Sequence, residues 1–556
     1  MSRHLLRPLL YPVSRLAGTL AQGQLRGFLA ACDRAEQTQE AMLLRLVHNA
    51  AGSDFGRQHA LDKVRSLRDF RQAVPVRDYE GLRPWMQQVL EGKVEALFAP
   101  GTQVVMFAVS SGTTGLPKHI PVTHEFMANY RRGWNIWGVK ALADHHDAWL
   151  KKIVAISSNA SEWLSPTGLP CGAISGLLAQ TQQWIVRRMY PVSPAVGRIA
   201  DPDAKYYTIL RSSIVGDIGI LTTANPSSAI RLAQAGRDNA ERLIRDIREG
   251  TLTPPGHIDP AVGRHFHFRP NPSAARRLEG IASRHGSLLP RHYWKPGFIG
   301  HWTGGTLGLY LPAVRELYGP ETPIRDIGLL ASEGRFSISL DDNTAQGVAE
   351  ITSNFLEFIP AEQIEKANPD VLLAHEVQVG QEYFLVISNC AGLWRYSIDD
   401  RVRVNGFQGR SPVIEFLSKG QHVSSITGEK LTEHQVVAAM ALVGQRGICA
   451  VETFELQGCF EETPYYALRL ERGRDDAQVL ADKLDTALRE LNIEYASKRS
   501  TGRLGAIRPL VLDRGSFARQ EAAKVAQRRG RGEQYKHKYL LTDVVYTEAR
   551  RDVSPS

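Results

Sequence analysis

An apolar, β-branched run, Val104 to Val109, feeds directly into Ser110-Ser111-Gly112-Thr113-Thr114-Gly115-Leu116-Pro117-Lys118. Ile120-Pro121-Val122, a second short strand by its composition, follows at once. A chain that puts glycines, hydroxyls and a lysine between two strands has made a place to hold phosphate. The glycines let the backbone come close to an anion, and successive N–H groups form a positively polarised nest. The Ser and Thr hydroxyls donate further hydrogen bonds, and Lys118 adds a full charge. A Walker A loop is excluded. That motif spells G-x-x-x-x-G-K-[ST], whereas only Thr113 and Thr114 separate Gly112 from Gly115, and His119 follows Lys118. An unliganded hairpin accounts for the glycines but gains little from the run of hydroxyls.

The spelling SSGTTGLPK resembles the phosphate loop of the acyl-adenylating superfamily, whose members use ATP to turn a carboxylate into an acyl-adenylate. Such chemistry needs a triphosphate with its charge offset, a fixed ribose and a stabilised leaving pyrophosphate. It is mostly positioning and electrostatics. Three further clusters can supply the parts. Ala331-Ser332-Glu333-Gly334 follows the apolar run Ile327 to Leu330. A carboxylate just past a strand end is placed for Mg²⁺, which takes one or two carboxylates plus phosphate oxygens; the alternative is an ordinary loop glutamate. In Gly392-Leu393-Trp394-Arg395-Tyr396-Ser397-Ile398-Asp399-Asp400, a carboxylate can accept hydrogen bonds from both ribose hydroxyls. Arg395 can instead pair with Asp399 or Asp400 as a structural salt bridge, the reading that leads for this cluster taken alone. Gln534-Tyr535-Lys536 follows an arginine run, Arg528-Arg529-Gly530-Arg531. Those arginines read as a solvated face, and Lys536 can reach the α-phosphate. His145-His146-Asp147 and His265-Phe266-His267 complete no ligand set and are not read as metal sites.

Composition narrows the class. At 556 residues, two or more domains are expected. Hydrophobic content of 43% and charged content of 22% describe an ordinary globular protein. The net charge, 67 − 58 = +9, suits an anionic small substrate, and no base-stacking motif or zinc-finger spacing points to nucleic acid. Cys32, Cys171, Cys390, Cys449 and Cys459 form no C-x-x-C, which fits a reducing compartment. No apolar run is long enough to span a membrane. The N-terminal MSRHLLRPLLYPVSRLAG, broken by Arg7, Pro8, Pro12 and Arg15, reads as a surface helix rather than a targeting segment. A cytoplasmic monomer is expected.

Apolar spacing predicts helices over Gln37 to Asn49 and Pro226 to Glu249, the latter capped by Asn225 and ended by Gly250. Strand-like runs cover Lys152 to Ile156, Ile214 to Leu221 and Tyr383 to Ile387. This alternation indicates an α/β fold. Near residue 420 the texture changes to a helix from Thr432, strands Ala450 to Leu456 and Tyr465 to Leu470, a helix Asp475 to Leu491 and a strand Ile507 to Leu512. The expected organisation is a large α/β domain, 1–418, with β-sheets packed by helices, and a small α+β domain, 419–556.

The order of short phrases narrows the resemblance. Phe55-Gly56-Arg57 with His59, Val74-Pro75-Val76 with Tyr79-Glu80, Asn225-Pro226-Ser227, Thr303-Gly304-Gly305 with Tyr310, Ser332-Glu333-Gly334, Glu357-Phe358-Ile359-Pro360, Gly392-Leu393-Trp394-Arg395-Tyr396, Gly515-Ser516-Phe517 and Gln534-Tyr535-Lys536 flank the phosphate loop. Jointly they resemble the Gretchen Hagen family, the auxin-responsive-promoter family of acyl-acid amido synthetases. The resemblance implies adenylation of a carboxylic acid by ATP, attack by an amine such as an amino acid, and release of AMP. It implies a small C-terminal domain that rotates between the half-reactions about a hinge near Lys419. Ser110, Ser111, Gly112, Thr113, Thr114 and Lys118 would hold phosphates, Glu333 would bind Mg²⁺, and Asp400 would hold the ribose. Lys536 would stabilise the transferring phosphate, with Gly304, Ser332 and Arg395 beside the nucleotide. The partners are a carboxylic acid and an amine; transfer to a CoA or carrier thiol is the alternative. Two positions depart from the family pattern. Leu329 stands where an aromatic would lie against adenine, and Asp399 replaces the glycine before the ribose aspartate. The acyl pocket does not carry over from the resemblance; the segment Trp163 to Gly176 and the helix after Thr123, with Phe126, Tyr130 and Trp134, are candidates for its wall, although aromatics at helical spacing are more often core.

Overall fold

The computed structural model describes residues 22–110, 117–149, 151–182, 184–364, 366, 368–420, 423–446, 453–471, 477–517, 519–520 and 539–546. The expected N-terminal surface helix therefore lies outside the described residues, apart from a helix that begins at residue 22. The chain divides into two compact units. One comprises 1–109, 119–199 and 204–418; the other comprises 110–118, 200–203 and 419–556. Among the described residues no helix is long and apolar enough to cross a membrane.

The first unit is mixed α/β, with three main sheets. Helix α1 (Ala35–Ala50) turns Met42, Leu43, Leu46 and Val47 inward. The strand read from Val104 to Val109 is β1 (Val104–Ser110), and β2 (Lys118–Thr123) lies beside it in a four-stranded sheet with 163–164 and 170–172. Thr123 accepts a hydrogen bond from the Phe126 N–H and so caps α2 (His124–Asp144). A second sheet pairs 152–155, 218–222, 298–300 and 324–325, all in parallel. It packs on a core that includes Tyr207, Leu210, Leu221, Leu243 and Ile299. The third sheet has seven strands. A two-stranded hairpin, β3 (Leu330–Ala331) and β4 (Gly334–Arg335), precedes the centre of that sheet. The centre is β5 (Asn354–Pro360), β6 (Glu382–Asn389) and β7 (Leu393–Gln408), paired antiparallel.

Several quoted phrases meet in one buried block of this unit. Trp394 stacks near-parallel on Phe55 with centroids 5.8 Å apart, and Phe55 stacks on His59 at 4.0 Å. A Cβ on Gly56 would lie 2.1 Å from the Ala50 carbonyl oxygen, so only glycine lets this turn seat against α1. These residues are core, and their job is to support β7.

Four elements differ from the sequence expectation. The stretch Pro226 to Glu249 is two helices, α3 (Pro226–Asp238) and α4 (Ala240–Glu249), broken at Asn239 with φ −124° and ψ 27°. The Asn239 side-chain amide donates to the Ala235 carbonyl at 3.1 Å, a local bond that competes with the helix ladder. The strand expected from Ile214 starts at Ile218, because the chain is still turning off the helix Pro202–Ser213. Ile327 to Leu330 is not one strand: only Leu330 and Ala331 pair, and Ser332-Glu333 form a hairpin tip. In the second unit, the strand expected at Ala450 to Leu456 is Glu455–Phe460, whose register against 465–471 runs from Glu455↔Arg469 to Cys459↔Tyr465. Gln457-Gly458 lies mid-strand; a Cβ on Gly458 would lie 2.8 Å from Ile426. Thr432 and Gln435 form a reciprocal capping box on the helix Glu433–Gln445. Tyr465–Glu471, Ala477–Leu491 and Arg508–Leu512 follow the expected order, while the helix Ile493–Ser500 and the strand Leu540–Tyr546 are not anticipated from sequence.

Candidate functional site

β1 ends at Ser110, which is 6% exposed and whose hydroxyl has no hydrogen-bond partner among the described residues. Ser111, Gly112, Thr113 and Thr114 lie outside the described residues. The chain returns at β2, where Lys118 is buried. The next residue is anchored twice by one side chain: the Tyr79 hydroxyl accepts from the His119 N–H at 2.8 Å and donates to the His119 carbonyl at 3.1 Å. Burial pushes the Tyr79 hydroxyl up to about 12, so it stays a neutral donor. Burial, with the Arg83 charge, also lowers the His119 imidazole below its usual value.

The hairpin tip meets the end of β1. Ser332 donates to the Val109 carbonyl at 3.5 Å, and Glu333 is 3% exposed. Burial raises the Tyr396 phenol well above its ordinary range, and the carboxylates of Glu333, Asp399 and Asp400 raise it further. The charges of the three acidic groups singled out from the sequence thus act on one buried ring in β7.

The backbone of β7 is strained where it faces them. Arg395 has φ +43° and Asp399 φ +62°, a left-handed conformation that costs most residues about 1–2 kcal/mol. Asp399 occupies the place where the family pattern has glycine, and aspartate tolerates the conformation that makes glycine the usual choice. Arg77 holds the strand there, donating its N–H to the Arg395 carbonyl at 3.0 Å and accepting from the Ser397 N–H at 2.8 Å.

Arg395 does not pair with Asp399 or Asp400. Its Nε donates to Glu357 at 2.8 Å, one terminal nitrogen to Glu357 at 3.2 Å and the other to the Val74 carbonyl at 3.0 Å. Arg71 adds a bond to the same carboxylate at 2.9 Å. The ion pair joins the Val74-Pro75-Val76 and Glu357-Phe358-Ile359-Pro360 phrases, and its partner is set by sheet register.

Thr303-Gly304 is positioned by Asp326, a residue that sequence reading passed over. Asp326 accepts from the Thr303 N–H at 2.6 Å, the Thr303 hydroxyl at 2.8 Å and the Gly328 N–H at 2.6 Å. A Cβ on Gly304 would sit 3.1 Å from the Phe416 carbonyl oxygen. Leu329 is half-buried, and the neighbouring Trp302 donates its indole N–H to the Gly328 carbonyl at 2.9 Å, which puts a ring beside the Leu329 turn. Burial raises the Asp326 carboxyl to about 6 from a usual 3.8. A carboxyl raised on folding stabilises the fold below its unfolded value, and that contribution fades as pH rises through the folded one. Lowering pH from 7 to 4 is therefore expected to shift unfolding free energy in favour of wild type over Asp326→Asn, by up to roughly 3 kcal/mol. Urea unfolding of both proteins across that range checks it; parallel pH profiles would contradict it.

Other expected groups stand apart. Lys536 lies outside the described residues. Lys419 ends a strand at the start of the second unit's main segment. His145 bonds Asp342 at 2.7 Å, and among the described residues no set of three metal-ligating side chains forms. Phe126 and Tyr130 stack on each other, buried, while Trp163 and Leu164 are exposed. A cavity of about 610 Å³ lies past the opposite end of β1, lined by Thr102, Gln103, His48, His124 and Trp394, with no lysine or arginine. Lys430 of the second unit, not singled out from sequence, has φ +48°.

The sequence matches the GH3 family N-terminal domain over residues 24–324, the central domain over 348–419 and the C-terminal domain over 434–544. This chain belongs to the GH3 family. GH3 relatives align along nearly the whole chain. A jasmonoyl–L-amino acid synthetase of Nicotiana attenuata is 24% identical over 87% of both chains. An indole-3-acetic acid-amido synthetase of Oryza sativa subsp. indica is 26% identical over 90% of this chain and 88% of that one. The solved GH3.15 acyl acid amido synthetase superposes with a TM-score of 0.64 at 19% identity, covering 93% of this chain and 94% of that one. A 2-hydroxyisobutyryl-CoA ligase superposes with a TM-score of 0.50 at 14% identity, covering 92% and 90%. The fold is that of GH3 proteins and acyl-adenylate-forming ligases.

Proposed function

We propose that this GH3 protein is an ATP-dependent, AMP-forming acyl-acid amido synthetase in the cytoplasm, acting as a monomer. Family membership across all three GH3 domains carries the reading. The shared electrostatic effect of Glu333, Asp399 and Asp400 on Tyr396, with the hairpin tip bonded to the end of β1, supports it. In the first half-reaction a carboxylate oxygen attacks the α-phosphorus of ATP and pyrophosphate leaves. In the second an amine, such as that of an amino acid, attacks the acyl carbon, AMP leaves and the nitrogen loses a proton.

Ser110, whose buried hydroxyl has no partner among the described residues, opens the phosphate loop. Ser111, Gly112, Thr113 and Thr114 continue it, and Lys118 closes it with a charge. Asp400 accepts from the ribose hydroxyls. Gly304 and Ser332 border the nucleotide, with Leu329 and the Trp302 ring as surfaces for adenine. A buried carboxylate fits Mg²⁺, which is held by one or two such groups plus phosphate oxygens and needs no protein cage. Glu333 would hold it, and a bound Mg²⁺ would offset phosphate charge. Arg395 acts by fixing β7 through Glu357. Lys536 adds charge at the transferring phosphate, and the small domain moves about Lys419 between half-reactions.

Carboxylate-dependent exchange of labelled pyrophosphate into ATP, run over a panel of acids, tests the first half-reaction. Exchange with at least one acid is expected; ATP binding without exchange for any acid would overturn the reading. Thioester formation on CoA or a carrier thiol is the second reading, supported by the fold shared with a CoA ligase.

A further inference from the structure

We propose that Asn354 and Asn389 form a buried amide clamp that fixes the turn presenting Glu333 and so sets the strength of Mg²⁺-dependent ATP binding. The two residues are cross-strand partners on β5 and β6, 3% and 2% exposed. Asn389 donates to the main-chain carbonyl of Glu333 at 2.8 Å and to the Asn354 side-chain oxygen at 3.1 Å. Asn354 donates to the Arg335 carbonyl at 2.7 Å. One amide thus holds the residue before Gly334 and the other the residue after it.

The Asn389 amide is oriented from behind, and the Asn354 backbone is held in place. The Asn389 side-chain oxygen accepts from the Ala391 N–H at 3.0 Å, which leaves its nitrogen facing the turn. The Gln39 side chain donates to the Asn354 main-chain carbonyl at 2.7 Å and pins β5 to α1. Gly334 is pressed on the pair. It has φ +155°, and a Cβ there would lie 3.2 Å from the Asn354 oxygen and 3.2 Å from the Asn389 nitrogen. A side chain at this position would press on the clamp. A hairpin of two residues per strand has little stability of its own. Losing the Asn389 donor removes the bond that ties the Glu333 main chain to β6, which lets the turn rearrange, and the carboxylate moves with it.

The inference rests on the assignment of Glu333 to Mg²⁺. Its test is the ATP dissociation constant of the full-length protein, by equilibrium dialysis in Mg²⁺ and in EDTA. Asn389→Leu keeps roughly the volume and removes the donor; Asn354→Ser is a milder second variant. Both are expected to weaken ATP binding about tenfold in Mg²⁺ and less than about twofold in EDTA. Leu210→Ala, a core change in the other hydrophobic cluster, lowers the thermal midpoint without altering the ratio of the two constants. Variants that melt earlier but keep the wild-type ratio would reduce the clamp to a structural feature and overturn the proposal. Glu333→Gln is measured alongside. A wild-type ratio there overturns the Glu333 assignment itself, whereas a changed ratio there with unchanged clamp variants overturns only the clamp.

Discussion

Glu357→Ala is expected to lower unfolding free energy by about 3–5 kcal/mol. Glu357 is 1% exposed on its side chain and is shared by Arg395 and Arg71. Its removal leaves the Arg395 guanidinium in a desolvated site with one neutral partner, the Val74 carbonyl. The cost arises from that unpaired charge rather than from the attraction lost. Arg71→Ala makes the contrast. Arg71 is 31% exposed, so water can replace its bond, and a loss of about 1 kcal/mol or less is expected. Denaturant midpoints of both variants check the pair, and a Glu357→Ala protein within about 1 kcal/mol of wild type would contradict it. Because Arg395 is held in a left-handed conformation beside Tyr396, the same variant also releases the strand that carries Asp399 and Asp400.

Lys536→Ala is expected to slow adenylation by about 10²-fold or more. A lysine that acts on the charge developing as pyrophosphate leaves contributes more in the transition state than in the ground state. The rate constant of exchange should therefore fall while the half-saturating ATP concentration changes little. Acyl-adenylate supplied ready-made should still be consumed by amine at close to the wild-type rate. Unchanged exchange kinetics would refute the role, and a defect confined to the half-saturating concentration would make Lys536 a binding residue only.

The local parts of this protein were legible in its sequence. The run Val104 to Val109 and the punctuation by Thr123, Asn225 and Thr432 follow from propensity and capping, which act within a few residues. The phrases that resemble the GH3 family also hold their order, and the fold follows from them. What was not legible is set by pairing between distant segments. Arg395 bonds Glu357 rather than the neighbouring Asp399 because β5, β6 and β7 lie side by side. Asn354 and Asn389 look unremarkable in the chain and become a unit only through strand register. Asn239 broke one expected helix into two through a side-chain bond that hydrophobic spacing cannot register. Asp399 read as a weakened motif, and its φ of +62° gives the physical reason glycine is usual there.

The central claim is amide formation, and a single competition decides it. ATP, an acid that supports exchange, a mixture of amino acids and CoA are supplied together with the full-length protein, and the acyl product is weighed by mass spectrometry. The expected product is an acyl–amino acid amide, formed one for one with AMP. An acyl-CoA thioester with no amide would contradict the account.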